Sequence, residues 1–220
     1  MSTADSSGMR RVINTVWKGV VPRHGRALLL AALVVALVAA PAPAAAHLME
    51  TGFGGYYDGL VHLLLTPADL LLVLALSLWA VQQGAATCRQ ALAVVPGAWL
   101  LGGWIGLGLP ETGAMRLVAT LGFMLAGLAV ALRIRLPRPV WLIAAGCLGL
   151  LQGSSNGATM SHAGGLLAVA GAVSGVAGIL AILCGQLLQI QRPWLVIGQR
   201  VLGSWIAAAG LLMLGWTLRG

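Results

Sequence analysis

The 220-residue sequence is 59% hydrophobic and only 8% charged, with a mean hydropathy of +0.94, which excludes an ordinary soluble domain and points to a polytopic membrane protein. Its net charge of +8 is no sign of nucleic acid, because Arg10, Arg11, Lys18, Arg23 and Arg26 precede the first apolar run and the other basic residues lie between later runs, where they orient helices. Cys88, Cys147 and Cys184 are too few and too scattered for a disulfide framework or a zinc site, and they read as small packing residues.

Residues 1–46 have the pattern of a secretory signal peptide: a basic stretch to Arg26, an apolar run over 27–40, then a proline- and alanine-rich segment ending at Ala46. Cleavage is predicted after Ala46. The apolar run is too short to span comfortably, and an uncleaved anchor helix is the alternative. Cleavage would leave His47 at the new N-terminus, where an α-amine beside an imidazole can chelate a transition metal; Glu50 follows it closely. Residues 51–59 are glycine-rich and aromatic, and read as an interfacial loop on the non-cytoplasmic side.

The stretch 58–81 sets two carboxylates and a histidine in an otherwise lipid-soluble run. Ionisable groups at membrane depth are functional candidates. On an unbroken helix Asp58, His62 and Asp69 would share one face, but Pro67 breaks it. Thr66 then reads as N-cap, Pro67 as the first helical residue and Asp69 as the third, opening a helix that runs to about Gln83. His62 is expected on the preceding turn, folded over the helix mouth. Two readings follow: Asp69 is a capping-box residue that accepts from free amides, or Asp58, His62 and Asp69 line a site where carboxylate and imidazole replace the water around a divalent cation.

Six apolar runs follow the signal, at 67–81, 91–109, 117–132, 140–151, 164–188 and 201–218. Backbone in lipid must be internally hydrogen-bonded, so each is expected to be a helix. The all-α fold expected is a bundle of six spans over residues 47–220. With the mature N-terminus outside, Arg89, Arg133, Arg135, Arg138, Arg192 and Arg200 fall on the cytoplasmic side and only Arg116 and Arg219 outside, as the positive-inside rule requires. The same topology brings His47, Glu50, Asp58, His62, Asp69, Glu111 and His162 to the outer side, where an incoming cation would meet them. Gly102-x3-Gly106 and Gly171-x3-Gly175 are spaced for close helix approach and offer faces for a homo-oligomer. Seven tryptophans near the span ends, Trp79, Trp99 and Trp141 among them, read as interfacial anchors.

Gln152, Asn156, Glu111 and His162 form a second polar group. Ser154 or Ser155 in the run GSSNG, with His162 as base, would suit an intramembrane hydrolase, although a flexible outer loop explains the segment better and no enzyme activity is expected. No nucleotide-binding motif is present.

Several features together resemble a known family. They are the alanine-rich signal ending in Ala46-His47, the glycine-rich loop, the His62-to-Asp69 stretch closing in Leu78-Trp79-Ala80, Glu111-Thr112-Gly113, Arg135-Leu136-Pro137 and Arg200-x2-Gly203-x6-Gly210. The layout is similar to that of the HupE/UreJ hydrogenase and urease accessory membrane proteins, and covers nearly all of the mature chain. The resemblance implies a multi-pass permease of the bacterial inner membrane for nickel or cobalt, serving metalloenzyme assembly, with the ion as cargo rather than a tightly bound cofactor. Two family motifs are altered. The H-x5-D-H motif survives as His62 and Asp69 with one extra residue between them and Leu70 in place of the second histidine. The H-G-H-A-H-G run is replaced by Gln152-Gly153-Ser154-Ser155-Asn156-Gly157. Neutral oxygens bind first-row transition metals less tightly than imidazole and suit harder cations. A membrane scaffold that has lost transport is therefore the competing reading.

Overall fold

A computed structural model describes residues 52–160, 164–190 and 193–217. The predicted signal peptide, its cleavage point, His47, Glu50 and His162 lie outside these residues. Seven helices make up the described chain: α1 (Gly55–Leu65), α2 (Pro67–Gln83), α3 (Ala85–Gly106), α4 (Gly113–Ala131), α5 (Arg138–Met160), α6 (Leu166–Gln189) and α7 (Pro193–Thr217). Each of the six apolar runs falls largely on a helix among the described residues.

Helix α2 is the centre of the bundle and touches each of the other six. Its composition explains the place: Leu72, Val73 and every residue from Ala75 to Ala80 are buried, so it has no polar face to turn to water and is stable only when surrounded. Pro67 separates it from α1. A proline has no N–H to give the carbonyl four residues back and forces its predecessor into extended backbone. Thr66 accordingly sits at φ −89°, ψ 104°, and the two helix axes bend by 74°. At the other end, Gly84 joins α2 to α3 in a single residue. Its φ of +107° is open only to glycine at low cost, and its N–H still reaches the carbonyls of Ala80 and Val81, both at 3.1 Å.

The tightest helix pair is α3 with α5, and glycine is the reason. Side chains built at Gly102 and Gly106 would run into the carbonyl oxygens of Leu150 and Ser154; those built at Gly153 and Gly157 would meet the carbonyls of Trp99 and Gly103. The two backbones therefore mesh along a seam of van der Waals contact, the main source of attraction between helices in lipid. Gly171 of α6 packs likewise against the Tyr56 carbonyl of α1, and Gly175 against Leu60 and Leu63. Both Gly-x3-Gly faces are thus occupied within the chain, which removes them as the expected surface for a second copy.

The segment after α4 is pinned at the far end of α2. Trp79 Nε1 and Gln83 Nε2 donate to the Ile134 carbonyl at 2.8 and 2.9 Å, Gln83 Oε1 accepts from the Leu136 amide, and Arg200 Nε donates to the Ala131 carbonyl at 3.0 Å. These bonds gather Arg133, Arg135, Arg138 and Arg200 at one end of the bundle, opposite Arg116 at the start of α4. Trp79 meets Trp141 edge-on, with ring centroids 5.8 Å apart. Trp79, Trp99 and Trp141 are buried, so these three are core residues and not the expected anchors; Trp104, Trp194, Trp205 and Trp216 are exposed.

Three helices, α4, α6 and α7, are each long and apolar enough to cross a membrane, and the bent pair α1 and α2 qualifies as a fourth when taken as one span. Helices α3 and α5 are long enough but less apolar: both carry the glycine seam, α3 also has Arg89 and Gln90, and α5 has the polar residues Gln152 to Asn156.

Candidate functional site

The break at Pro67 folds the last turn of α1 over the first turn of α2. His62 is in that last turn of α1, a helical position and not the loose turn expected from sequence, and the Thr66 N–H donates to its carbonyl at 2.8 Å. Asp69 is the third residue of α2 and is fully buried. The histidine Nε2 lies 3.8 Å from Asp69 Oδ2.

Asp69 does not serve as the expected capping-box residue. Thr66 is the N-cap, but no side-chain capping bond forms there. The carboxylate instead turns across the bundle to α5, where Gln152 Nε2 donates to Oδ1. Asn156, one turn along α5 and on the same face, brings its amide toward the same carboxylate. Gln152 and Asn156 are both buried. Asp69 Oδ2 and Asn156 Nδ2 have no hydrogen-bond partner. Buried polar atoms are usually paired in folded proteins; these two share that open state with Gln82 Oε1, Trp99 Nε1 and Trp141 Nε1 elsewhere among the described residues.

Part of each polar group anticipated from sequence therefore comes together: Asp69 with His62 from the first, Gln152 and Asn156 from the second. Residues of α1, α2 and α5 meet because the α3–α5 seam holds α5 beside α2. The segment read as a flexible loop is helical to Met160, with Ser154 Oγ donating to the Leu151 carbonyl of its own helix at 2.8 Å. Ser155 is buried, and His162, the base of the hydrolase reading, lies outside the described residues. The residues 55–59, read as loop, are likewise the first turn of α1.

Two further candidates are among the described residues. Asp58 is buried one turn before His62 on α1. Glu111, in the segment between α3 and α4, is exposed and pairs with Arg116 at 3.7 Å. Among the described residues no three His, Cys, Asp or Glu side chains come together to hold a metal ion. What the site offers is one carboxylate, one imidazole and two carboxamides.

Residues 35–213 match the family described as HupE / UreJ protein. The chain belongs to the HupE/UreJ family. No curated protein and no solved structure matches it. The HupE/UreJ match extends over α1 to α6 and most of α7, and so includes both Asp69 and the α5 amide that holds its carboxylate.

Proposed function

We propose that the protein is a membrane permease for a divalent transition-metal cation, nickel or cobalt, that supports metalloenzyme assembly. In this reading residues 1–46 are removed, α1 and α2 form one broken span, and α3 to α7 supply five more. Both ends of the mature chain lie on the periplasmic side of the inner membrane, with Arg89, Arg133, Arg135, Arg138 and Arg200 facing the cytoplasm. The observation that carries the proposal is the fully buried Asp69, whose Oδ2 has no hydrogen bond and faces His62 Nε2 at 3.8 Å. A buried carboxylate left partly unpaired is costly, and a desolvating cation bound between carboxylate and imidazole would offset that cost. His62 and Asp69 are the central ligands, Gln152 and Asn156 complete the wall, and Asp58 lies one turn away on the approach. His47, Glu50 and His162 are proposed to gather the ion at the outer surface. Uptake of radiolabelled nickel or cobalt into proteoliposomes holding the purified protein tests this, against liposomes without protein.

One observation favours a membrane scaffold that has lost transport: the Gln152 amide occupies Asp69 Oδ1, where a metal ligand would be expected to leave room for the ion. No uptake above the protein-free control, with the bundle intact, would establish that second reading.

A further inference from the structure

Helices α3 and α5 border an open apolar groove of about 460 Å³, lined by residues that include Ala93, Gly97 and Leu101 on α3 and Ile143, Gly146 and Cys147 on α5. No charged side chain lines it. The two helices run parallel, with Trp99 beside Gly153 and Gly103 beside Gly157, and both begin at the end of the bundle that gathers Arg133, Arg135 and Arg200. At that end stand Arg89, one turn before Ala93, and Arg138, the first residue of α5. A Cβ at Gly146 would lie 3.4 Å from Val94 Cγ1, which puts Val94 and Gly146 at one height. Counting back along each helix then sets Arg89 and Arg138 within about 5 Å of one another in height. Both are exposed, and among the described residues neither has an ion-pair partner. Side chains lean toward the start of their helix, so both arginines extend away from the apolar floor toward the membrane surface.

We infer that this groove seats one anionic phospholipid, its acyl chain lying between α3 and α5 and its phosphate held by Arg89 and Arg138. Charge complementarity selects the occupant. Guanidinium groups bind phosphate oxygens through charge-assisted hydrogen bonds, and basic sites between membrane helices suit anionic headgroups. The apolar groove directly below them takes the chain that a lipid brings and a free phosphate lacks. A second copy of this chain is a poorer match: a two-fold contact through the same face would set its Arg89 and Arg138 against these two, and like charges repel. The lipid seat is separate from Asp69 and stands whether or not a metal ion is carried.

The test is native mass spectrometry of the purified full chain titrated with dioleoyl-phosphatidylglycerol or with dioleoyl-phosphatidylcholine, which has the same chains and no net charge. One phosphatidylglycerol is expected to be retained at least fivefold more tightly than phosphatidylcholine. The double variant Arg89→Gln, Arg138→Gln is expected to lose that preference. Gly97→Leu fills the groove, since a Cβ there meets nothing within 4 Å, and is expected to weaken retention at least fivefold with both arginines in place; Ala93→Leu repeats the test from a neighbouring turn. Gly178→Leu, equally open but on α6, is expected to bind as the parent does, and circular dichroism verifies the helices of each variant. Equal retention of the two lipids would overturn the inference, as would undiminished retention in both groove-filling variants. A species of twice the chain mass that Gly97→Leu abolishes would also overturn it, by giving the groove to a second copy.

Discussion

Gln152 donates a hydrogen bond to Asp69 across the contact between α5 and α2, joining residues 83 positions apart in the chain. It is the link that turns two polar islands in an apolar sequence into one site. Removing the donor while keeping the bulk, as in Gln152→Leu, deprives a fully buried carboxylate of its Gln152 hydrogen bond. The expected cost is about 1–3 kcal/mol, read as a lower thermal or detergent-unfolding midpoint, and Gln152→Glu is expected to be worse because it sets a second carboxylate against the first. An unchanged midpoint for both would show that the bond contributes nothing.

Restoring an imidazole at the same place gives the opposite sign for metal binding. Gln152→His is expected to raise nickel affinity at least tenfold, since imidazole is a far better ligand than a carboxamide for first-row ions; a tenfold change is about 1.4 kcal/mol. Isothermal titration of the parent and the variant decides it. Equal affinities would mean that α5 does not face the bound ion.

The glycine seam has its own test. Gly153→Ala and Gly157→Ala each drive a methyl into a carbonyl of α3, and are expected to destabilise the bundle by about 1–3 kcal/mol or more. Gly97→Ala, on α3 but with nothing within 4 Å of the added methyl, is expected to be neutral or slightly stabilising. Because the seam positions α5, the first two changes should also weaken cation binding, and Gly97→Ala should not.

How much of this was legible in the sequence depended on range. The apolar runs were readable because helices in lipid announce themselves by length and hydropathy, and the Thr66-Pro67 pair fixed the start of α2 through backbone sterics that need no partner. Helix α1 was missed because glycines and tyrosines around Gly55 read as a loop; packing of Gly59 on the Ala168 carbonyl and of Gly171 on that of Tyr56 overrides their poor propensity. The end of α5 was missed for the same reason, since Gly153, Ser154, Ser155, Asn156 and Gly157 are weak helix formers held by the seam. Trp99 and Trp141 looked like anchors because they lie near span ends, and only the packed bundle shows them inside. The His62–Asp69 approach was local and could be seen. The Gln152 bond depends on two helices distant in sequence and could not.

Loop charge makes a prediction about sidedness. In a Cys147→Ser background, a cysteine at Arg135 is expected to resist an impermeant thiol reagent in whole cells while one at Thr112 reacts, both positions being exposed at opposite ends of the bundle. The reverse pattern would invert the proposed topology.

The last prediction separates a carboxylate that only ties helices together from one that binds cargo. If Asp69 is a structural anchor for Gln152, Asp69→Asn keeps the shape and an acceptor oxygen, so stability should fall by about 1 kcal/mol and metal affinity should not move. If Asp69 is a ligand, loss of its charge should weaken cation binding well over tenfold in a protein that still folds, because a first-contact anionic interaction is commonly worth more than about 1.4 kcal/mol. His62→Ala should then show a comparable loss. The double variant is the deciding measurement: residues that share one ion are energetically coupled, so its loss should be smaller than the sum of the two single losses. Affinity and uptake are to be measured for the parent, both single variants and the double at matched expression. Small and strictly additive effects would remove the shared ion from between His62 and Asp69, and leave their 3.8 Å approach as a contact made by folding alone.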